Sequence, residues 1–253
     1  MHVAGSLVPI IVEGPSDKRL LASMLDEGAA SVIHAGTRST ALGVIRILSE
    51  DEEQDRMVGS LIVLVDRDFD LSPGRQGRLL CTTASDLDAE LITVAGVLER
   101  VVRTAHRLTT GVEVASQLNR ISEAVHRFRA ARQVARDLGL GPEFSRLNGL
   151  LRERSECPAE EIADALGIQE CDWGPFVDSI RGFLESEPDL AKCRGHDLHL
   201  VVSWGTKKGR DGIQDLFMAA VDVDAFLSTP TGSALEVWAS KFGVRIWQSS
   251  RAA

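Results

Sequence analysis

Long apolar runs are missing from this chain. The longest, such as Leu61–Val65, fall far short of the roughly 20 residues that a membrane-spanning helix needs. Also missing at the N-terminus is a basic region followed by an apolar stretch and a small-residue cleavage site, which leaves the cytoplasm as the expected location. Cysteine is scarce: Cys81, Cys157, Cys171 and Cys193 form no C-x-x-C pair, the pattern of free thiols in a reducing compartment. No basic excess exists, since 28 Lys+Arg stand against 37 Asp+Glu for a net charge of −9, and a histone-like binder is thereby disfavoured. No G-x-x-x-x-G-K-[ST] occurs, which excludes a self-contained P-loop ATPase. Aromatics are not interleaved with basic residues in the manner of RNA-stacking surfaces, so the four tryptophans read as core or interface residues. What remains is an ordinary globular composition, 44% hydrophobic and 26% charged over 253 residues, long enough for a buried core.

The first ninety or so residues alternate strand and helix patterns. Val8–Val12 is a short β-branched run ending in Glu13-Gly14-Pro15-Ser16-Asp17. Ser16 is the expected N-cap of a helix carrying Leu20, Leu21 and Met24 on one face. Ser31–His34 reads as a second strand, and a helix with Leu42, Ile45 and Leu48 on a common side follows. Leu61–Val65 is continuous and apolar, as a central parallel strand covered on both faces should be. It ends at Asp66-Arg67-Asp68, and Arg78–Thr82 is a weaker fourth strand. This alternation predicts an α/β fold with a parallel sheet and its chemistry at the carboxyl ends of the strands. From about Asp86 helix follows helix: Glu99–Arg136 with Gly111 as its expected break, then Glu143–Arg154, Ala159–Leu166, Phe176–Leu184, Asp211–Met218 and Ser233–Phe242. The division expected is an α/β core over 1–95 and a mainly helical region packed on it over 96–253, returning a last strand near 243–248.

Acidic groups stand at the strand ends: Glu13 after the first, Asp66 and Asp68 after the third. Neighbouring strands lie about 5 Å apart, so these carboxylates can converge on one cation despite their separation in sequence. Hard oxygen donors of this kind suit Mg²⁺ or Mn²⁺, which neutralise a phosphodiester and lower the pKa of an attacking water. Gathering so many negative charges without a cation is costly, which itself argues for a metal. Each aspartate also has a plain alternative as a turn or cap residue. A phosphatase-type D-x-D is another alternative, although Phe69 stands where Thr or Gly would follow.

Taken together, Val12-Glu13-Gly14-Pro15-Ser16-Asp17 and the later Leu64-Val65-Asp66-Arg67-Asp68 resemble the Toprim superfamily. Its members include topoisomerases, DnaG-type primases, recombination mediators and OLD-family nucleases. The resemblance implies a Toprim (Rossmann-like) parallel sheet with a helical C-terminal extension or insertion. It implies general acid/base or metal chemistry for Glu13 and Mg²⁺ binding for Asp66 and Asp68. Gly14 would let the chain turn sharply beside the phosphate, and Asp17 would orient the site or complement the helix N-terminus. Thr83-Ala-Ser-Asp86-Leu87-Asp88-Ala89-Glu90-Leu91 is similar to the T-x-x-D-(I/L)-E segment of OLD-like nucleases and of the Toprim effector of the PARIS phage-defence system. Asp88 occupies the position of the family glutamate, and Glu90 is the alternative if the register differs. Asp86 and Asp88 would then assist the first cation or hold a second.

This branch implies a Mg²⁺- or Mn²⁺-dependent endonuclease acting on DNA or RNA, tRNA included, in phage defence. Control by a separate OLD/ABC-like ATPase chain and homo-oligomerisation are implied with it. Two alternatives stay open: a nucleotidyl transferase of primase type, and a nucleic-acid or partner-binding module without catalysis. Arg194-Gly195-His196-Asp197 is similar to a Gly-(His/Lys)-Asp segment of the same branch, in which His196 would contact substrate phosphate; Asp197 reads equally as a helix cap.

Charge is unevenly distributed. From Arg100 to Arg136 eight arginines face two glutamates, +6 locally, so the remainder carries −15. A basic helical surface serves phosphate contact, for which Arg127, Arg129 and Arg132 are the candidates; a solvated helix face is the alternative. Pro158–Ile168 reads like the first helix and turn of a helix-turn-helix, with Cys171–Pro175 expected to interrupt any second helix. Cys193, His196 and His199 are spaced as a zinc run would be, but ligands three apart drift around a helix and no fourth is evident.

Overall fold

The computed structural model describes residues 7–50, 60–67 and 74–248. The chain divides into two compact units, 1–94 with 221–253, and 95–220.

In the first unit β1 (Val8–Val12), α1 (Pro15–Ala22), β2 (Ala30–His34), α2 (Arg38–Glu50) and β3 (Ile62–Val65) alternate as the patterning predicts. β4 (Gly74–Gln76), β5 (Leu79–Cys81) and α3 (Leu87–Ile92) follow. The strands form one α/β sheet in the order β2-β1-β3-β5-β4, parallel throughout except for β4 against β5. Ile11, Val63, Val65 and Cys81 pack with Ala41 and Leu48 of α2. Ile10, Val12, Ile62, Leu64 and Leu80 point to the opposite face and are equally buried. Covering on both faces explains why β3 reads as an unbroken apolar run. β4 has no such signature: its Gly-Arg-Gln is an edge strand without a buried position. Pro9 is tolerated in β1 because pairing with β3 begins only at Ile10, so its missing N–H removes no bond from that ladder.

Because β2 lies on one side of β1 and β3 on the other, the winding direction reverses between β1 and β3. In open parallel sheets the crevice outside the strand ends at such a reversal is where ligands bind.

The second unit is helical: α4 (Val97–His106), α5 (Gly111–Asp137), α6 (Ser145–Glu153), α7 (Ala159–Leu166), α8 (Glu170–Leu184), α9 (Gly195–Ser203) and α10 (Arg210–Ala220). Long α5 is its centre, burying Val114, Ile121, Val125, Phe128 and Val134. The break before it falls at 107–110, where Arg107 adopts a left-handed φ of 56° and ends α4. Thr110 then caps α5 by accepting the Glu113 N–H at 3.2 Å, while the Glu113 carboxylate accepts the Thr110 N–H at 3.0 Å. Gly111 is the first residue inside the new helix.

The expected interruption at Cys171–Pro175 does not occur, since α8 begins at Glu170 and runs through Pro175. A proline in a helix interior costs about 3 kcal/mol. Burial of Phe176, Val177 and Ile180 just beyond it contributes about 1.5–3 kcal/mol each, and packing wins.

Within the first unit the chain ends with α11 (Val223–Leu227) and α12 (Pro230–Ser240). Thr229 caps α12 through the Gly232 N–H at 3.0 Å. A Cβ on Gly232 would sit 2.0 Å from the Phe226 carbonyl oxygen, so only glycine fits this turn. The strand expected near 243–248 is reduced to one antiparallel bridge, Leu25 with Trp247. The Asp26 N–H donates to the Ile246 carbonyl at 2.7 Å, and the Gln248 N–H to that of Met24 at 3.0 Å.

Candidate metal and acid site

The register that pairs Val12 with Leu64 brings Glu13 and Asp66 to the same edge of the sheet. Glu13 Oε1 accepts the Asp66 main-chain N–H at 2.9 Å. Asp66 Oδ1 in turn accepts the Leu87 N–H at 3.3 Å, at the start of α3. Asp86 caps that helix, its Oδ1 accepting the Ala89 N–H at 2.7 Å. Glu13, Asp66 and Asp86 are thus joined through three chain segments. Asp68 lies outside the described residues. Among the described residues no group of three or more His, Cys, Asp or Glu side chains is arranged to hold a metal ion.

Asp17 belongs to the same cluster. Its carboxyl is pushed up to about 7, first by burial, then by the negative charges of Asp88 and Asp86, against the lowering effect of the Gly14 N–H. That N–H donates to Asp17 Oδ2 at 3.2 Å, so Asp17 fastens the turn from β1 into α1. The helix begins at Pro15 with Gly14 as its N-cap, two residues earlier than the expected Ser16, because proline is favoured at the first helical position. Gly14 has an extended φ of −122°, and its expected sharp turn is not needed.

Cys81 reports the charges around the strand ends. Burial pushes its thiol up to about 11, with Arg38 and Arg67 opposing the rise and Asp66 and Glu13 adding to it. Arg67 directs Nη1 to the Thr83 carbonyl at 3.1 Å. Its main-chain N–H donates to Thr82 Oγ1 at 2.9 Å, and that hydroxyl donates to the Ala84 carbonyl at 3.0 Å. Arg67 and Thr82, which sequence reasoning passed over, therefore tie the end of β3 to the loop that leads through Asp86 into α3. The hydroxyl immediately before Thr83-x-x-Asp86 was the available signal.

Glu90 is not a ligand in reserve. It is 2% exposed and its carboxylate accepts the Thr83 N–H, the Thr231 N–H and the Thr231 hydroxyl. Between the two acids left open by the sequence, Asp88 is the one whose charge bears on Asp17.

The basic residues expected to meet substrate all belong to the second unit, where their side chains have protein partners. Arg127 donates to the Cys157 and Glu123 carbonyls at 3.3 and 3.2 Å and pairs with the Glu123 carboxylate. Arg129 lies 4.7 Å over the Phe183 ring. Arg132 makes a two-pronged pair with Asp197, at 2.7 and 2.8 Å, and lies 4.3 Å over Phe144. Asp197, 1% exposed, is therefore an ion-pair anchor, neither a helix cap nor a substrate contact. His196 is exposed at the start of α9, with Arg210 Nη1 2.8 Å from Nε2; burial and that guanidinium hold its pKa below the usual imidazole value. Cys193 Sγ donates to the Asp189 carbonyl at 3.3 Å, and no zinc cluster forms around it among the described residues.

α7, the left-handed Gly167 and α8 have the layout of a helix-turn-helix. The solvent side of α8 carries Glu170, Asp172 and Asp178 against Arg181, a charge balance opposed to a phosphate backbone. No family model matches the chain, and no curated protein shows significant similarity to it.

Proposed function

We propose that this chain is a Toprim-type, divalent-cation-dependent nuclease that hydrolyses phosphodiester bonds in DNA or RNA. The observation that carries the reading is the hydrogen bond from the Asp66 N–H to Glu13 Oε1 at 2.9 Å. It unites the two separate acidic motifs at the β1/β3 reversal, where an α/β sheet binds its ligands.

The donor chemistry fits Mg²⁺ or Mn²⁺. Every candidate ligand is a carboxylate, and the mutual repulsion that helps raise Asp17 is what a bound cation relieves. When bound, the cation supplies charge neutralisation at the phosphate and a more acidic water. Asp66 and Asp68 would hold it; Asp86 and Asp88 would assist or hold a second. Glu13, half-buried and bonded to the Asp66 N–H, would take the proton of the attacking water or return one to the leaving oxygen, besides orienting Asp66. Arg67 and Thr82 keep the α3 loop in place while this occurs. A role in phage defence, as a homo-oligomer restrained by an ATPase chain, extends the same resemblance.

The test incubates purified protein, alone and with any ATPase encoded beside it, in Mg²⁺ or Mn²⁺ against mixed DNA, rRNA and tRNA. Cleavage is expected in the wild type and is lost in Glu13→Ala and Asp68→Ala. Cleavage undiminished in both variants overturns the reading. So does a divalent-ion thermal shift that Asp66→Ala leaves untouched, while the complete lack of such a shift favours a binding module.

A further inference from the structure

An acid whose carboxylate accepts three hydrogen bonds lies in α3, the helix that Asp86 caps. Glu90 Oε2 accepts the Thr83 N–H at 3.0 Å and the Thr231 hydroxyl at 2.8 Å, and Oε1 accepts the Thr231 N–H at 2.6 Å. Thr231 is 1% exposed and Glu90 2%. A buried carboxylate costs several kcal/mol unless its lone pairs are met. An apolar side chain would hold α12 against α3 without that cost. What the carboxylate achieves, and an apolar contact cannot, is directional fastening of two segments at once: the loop opening at Thr83, and the first turn of α12. The positive end of the α12 dipole adds to the second attachment.

We infer that Glu90 is a positioning residue of the acidic site, which makes the first turn of α12 part of the frame that aims Asp86 and Asp88. The loop between β5 and α3 is held at its front by Arg67 and Thr82 and at its end by Asp66 through the Leu87 N–H. Glu90 is the hold at its back. Releasing the Thr83 N–H frees the loop to shift, and displacements near 1 Å are enough to spoil a reactive arrangement. The inference rests on the proposed cation site.

The experiment measures Mn²⁺ binding to the full chain by electron paramagnetic resonance, with melting temperature read in parallel. Glu90→Gln leaves at least one of the three donors facing an NH₂ group. Thr231→Val removes only the hydroxyl and decides the question if Glu90→Gln does not fold. Leu235→Ala, a buried change in α12 that leaves the hydrogen-bonding groups of Glu90 and Thr231 in place, supplies the comparison for destabilisation alone. The Mn²⁺ dissociation constant is expected to rise at least tenfold in Glu90→Gln and about threefold in Thr231→Val, and to stay at the wild-type value in Leu235→Ala. Wild-type affinity in folded Glu90→Gln or Thr231→Val overturns the inference, as does an equal rise in Leu235→Ala. Mn²⁺ binding that is absent from the wild type, or indifferent to Asp66→Ala, overturns the cation site itself and the inference with it.

Discussion

The carboxylate of Glu13 accepts the main-chain N–H of Asp66 across 53 residues of sequence. In the proposed reading Glu13 has two separable duties, since an amide oxygen can accept the same N–H but cannot take a proton from water. Glu13→Gln is expected to keep the fold and the melting temperature of the wild type while losing at least 100-fold in cleavage rate, the usual scale of general acid–base help. Glu13→Ala should lose both activity and some stability. Parallel melting curves and single-turnover cleavage check this; equal activity in Glu13→Gln and wild type would leave only the structural duty.

Arg132 and Asp197 form a pair whose acid is almost wholly buried. Arg132→Ala strands that charge, which typically costs about 3–5 kcal/mol. The second unit should then melt roughly 10 °C lower. Arg132→Glu should be worse still, so any loss of nucleic-acid binding in it must be read beside circular dichroism. Normal melting would contradict the assignment of Arg132 to the fold.

Asp17 lowers the stability of the first unit as pH rises from about 4 to 7. Its folded pKa of about 7 is above the ordinary aspartate value of 3.8, so the native state holds a proton that the unfolded chain releases. The stabilising contribution is complete below about pH 4 and is lost as pH rises through 7. Without divalent ions, Asp17→Asn should melt higher than wild type at pH 7.5 and show a flatter profile from pH 4 to 7. If the site binds Mn²⁺, loading it should release protons in wild type and fewer in the variant, which titration calorimetry in two buffers reads directly.

His199 makes the second unit sensitive to acid. Burial, then His196 and Arg210, bring its pKa down to about 4. The unfolded chain therefore binds a proton that the native state refuses, and stability falls as pH drops from about 6.5 to 4. His199→Leu should weaken that acid dependence without touching the one set by Asp17; an unchanged acid limb would contradict the burial argument.

Gly232→Ala should be among the most damaging single-methyl changes in the chain. Its Cβ meets backbone, the Phe226 carbonyl oxygen at 2.0 Å, and no side chain can swing aside. Loss of soluble expression, or a markedly lowered melting temperature, is expected; wild-type melting would refute it.

The elements written in local pattern were legible beforehand. β1 and β3 stand out as apolar runs, and Glu13 and Asp66 as the charges that end them. The break before α5 was expected at Gly111 and falls just before it, at 107–110. The features that stayed hidden depend on partners far away in sequence. Glu90 looks like a spare ligand until Thr231, 141 residues on, is beside it. Asp197 looks like a cap until Arg132, 65 residues earlier, claims both its oxygens. Pro175 looks like a stop because the burial that overrides it comes from neighbouring helices. Gly14 suggested a sharp turn, and its backbone is extended instead.

The first unit is discontinuous, and this has a bearing on biosynthesis. The sheet strands leave the ribosome early, yet α12, whose first turn meets Glu90, comes only after residues 95–220 have been made. At roughly 5–20 residues per second the strands wait some seconds, on the order of ten, for their last piece. The inserted helical unit has every residue it needs before then. Vectorial synthesis therefore favours an order in which the middle of the polypeptide matures first, and a nascent chain halted at residue 220 would carry a finished helical body and an unsealed sheet.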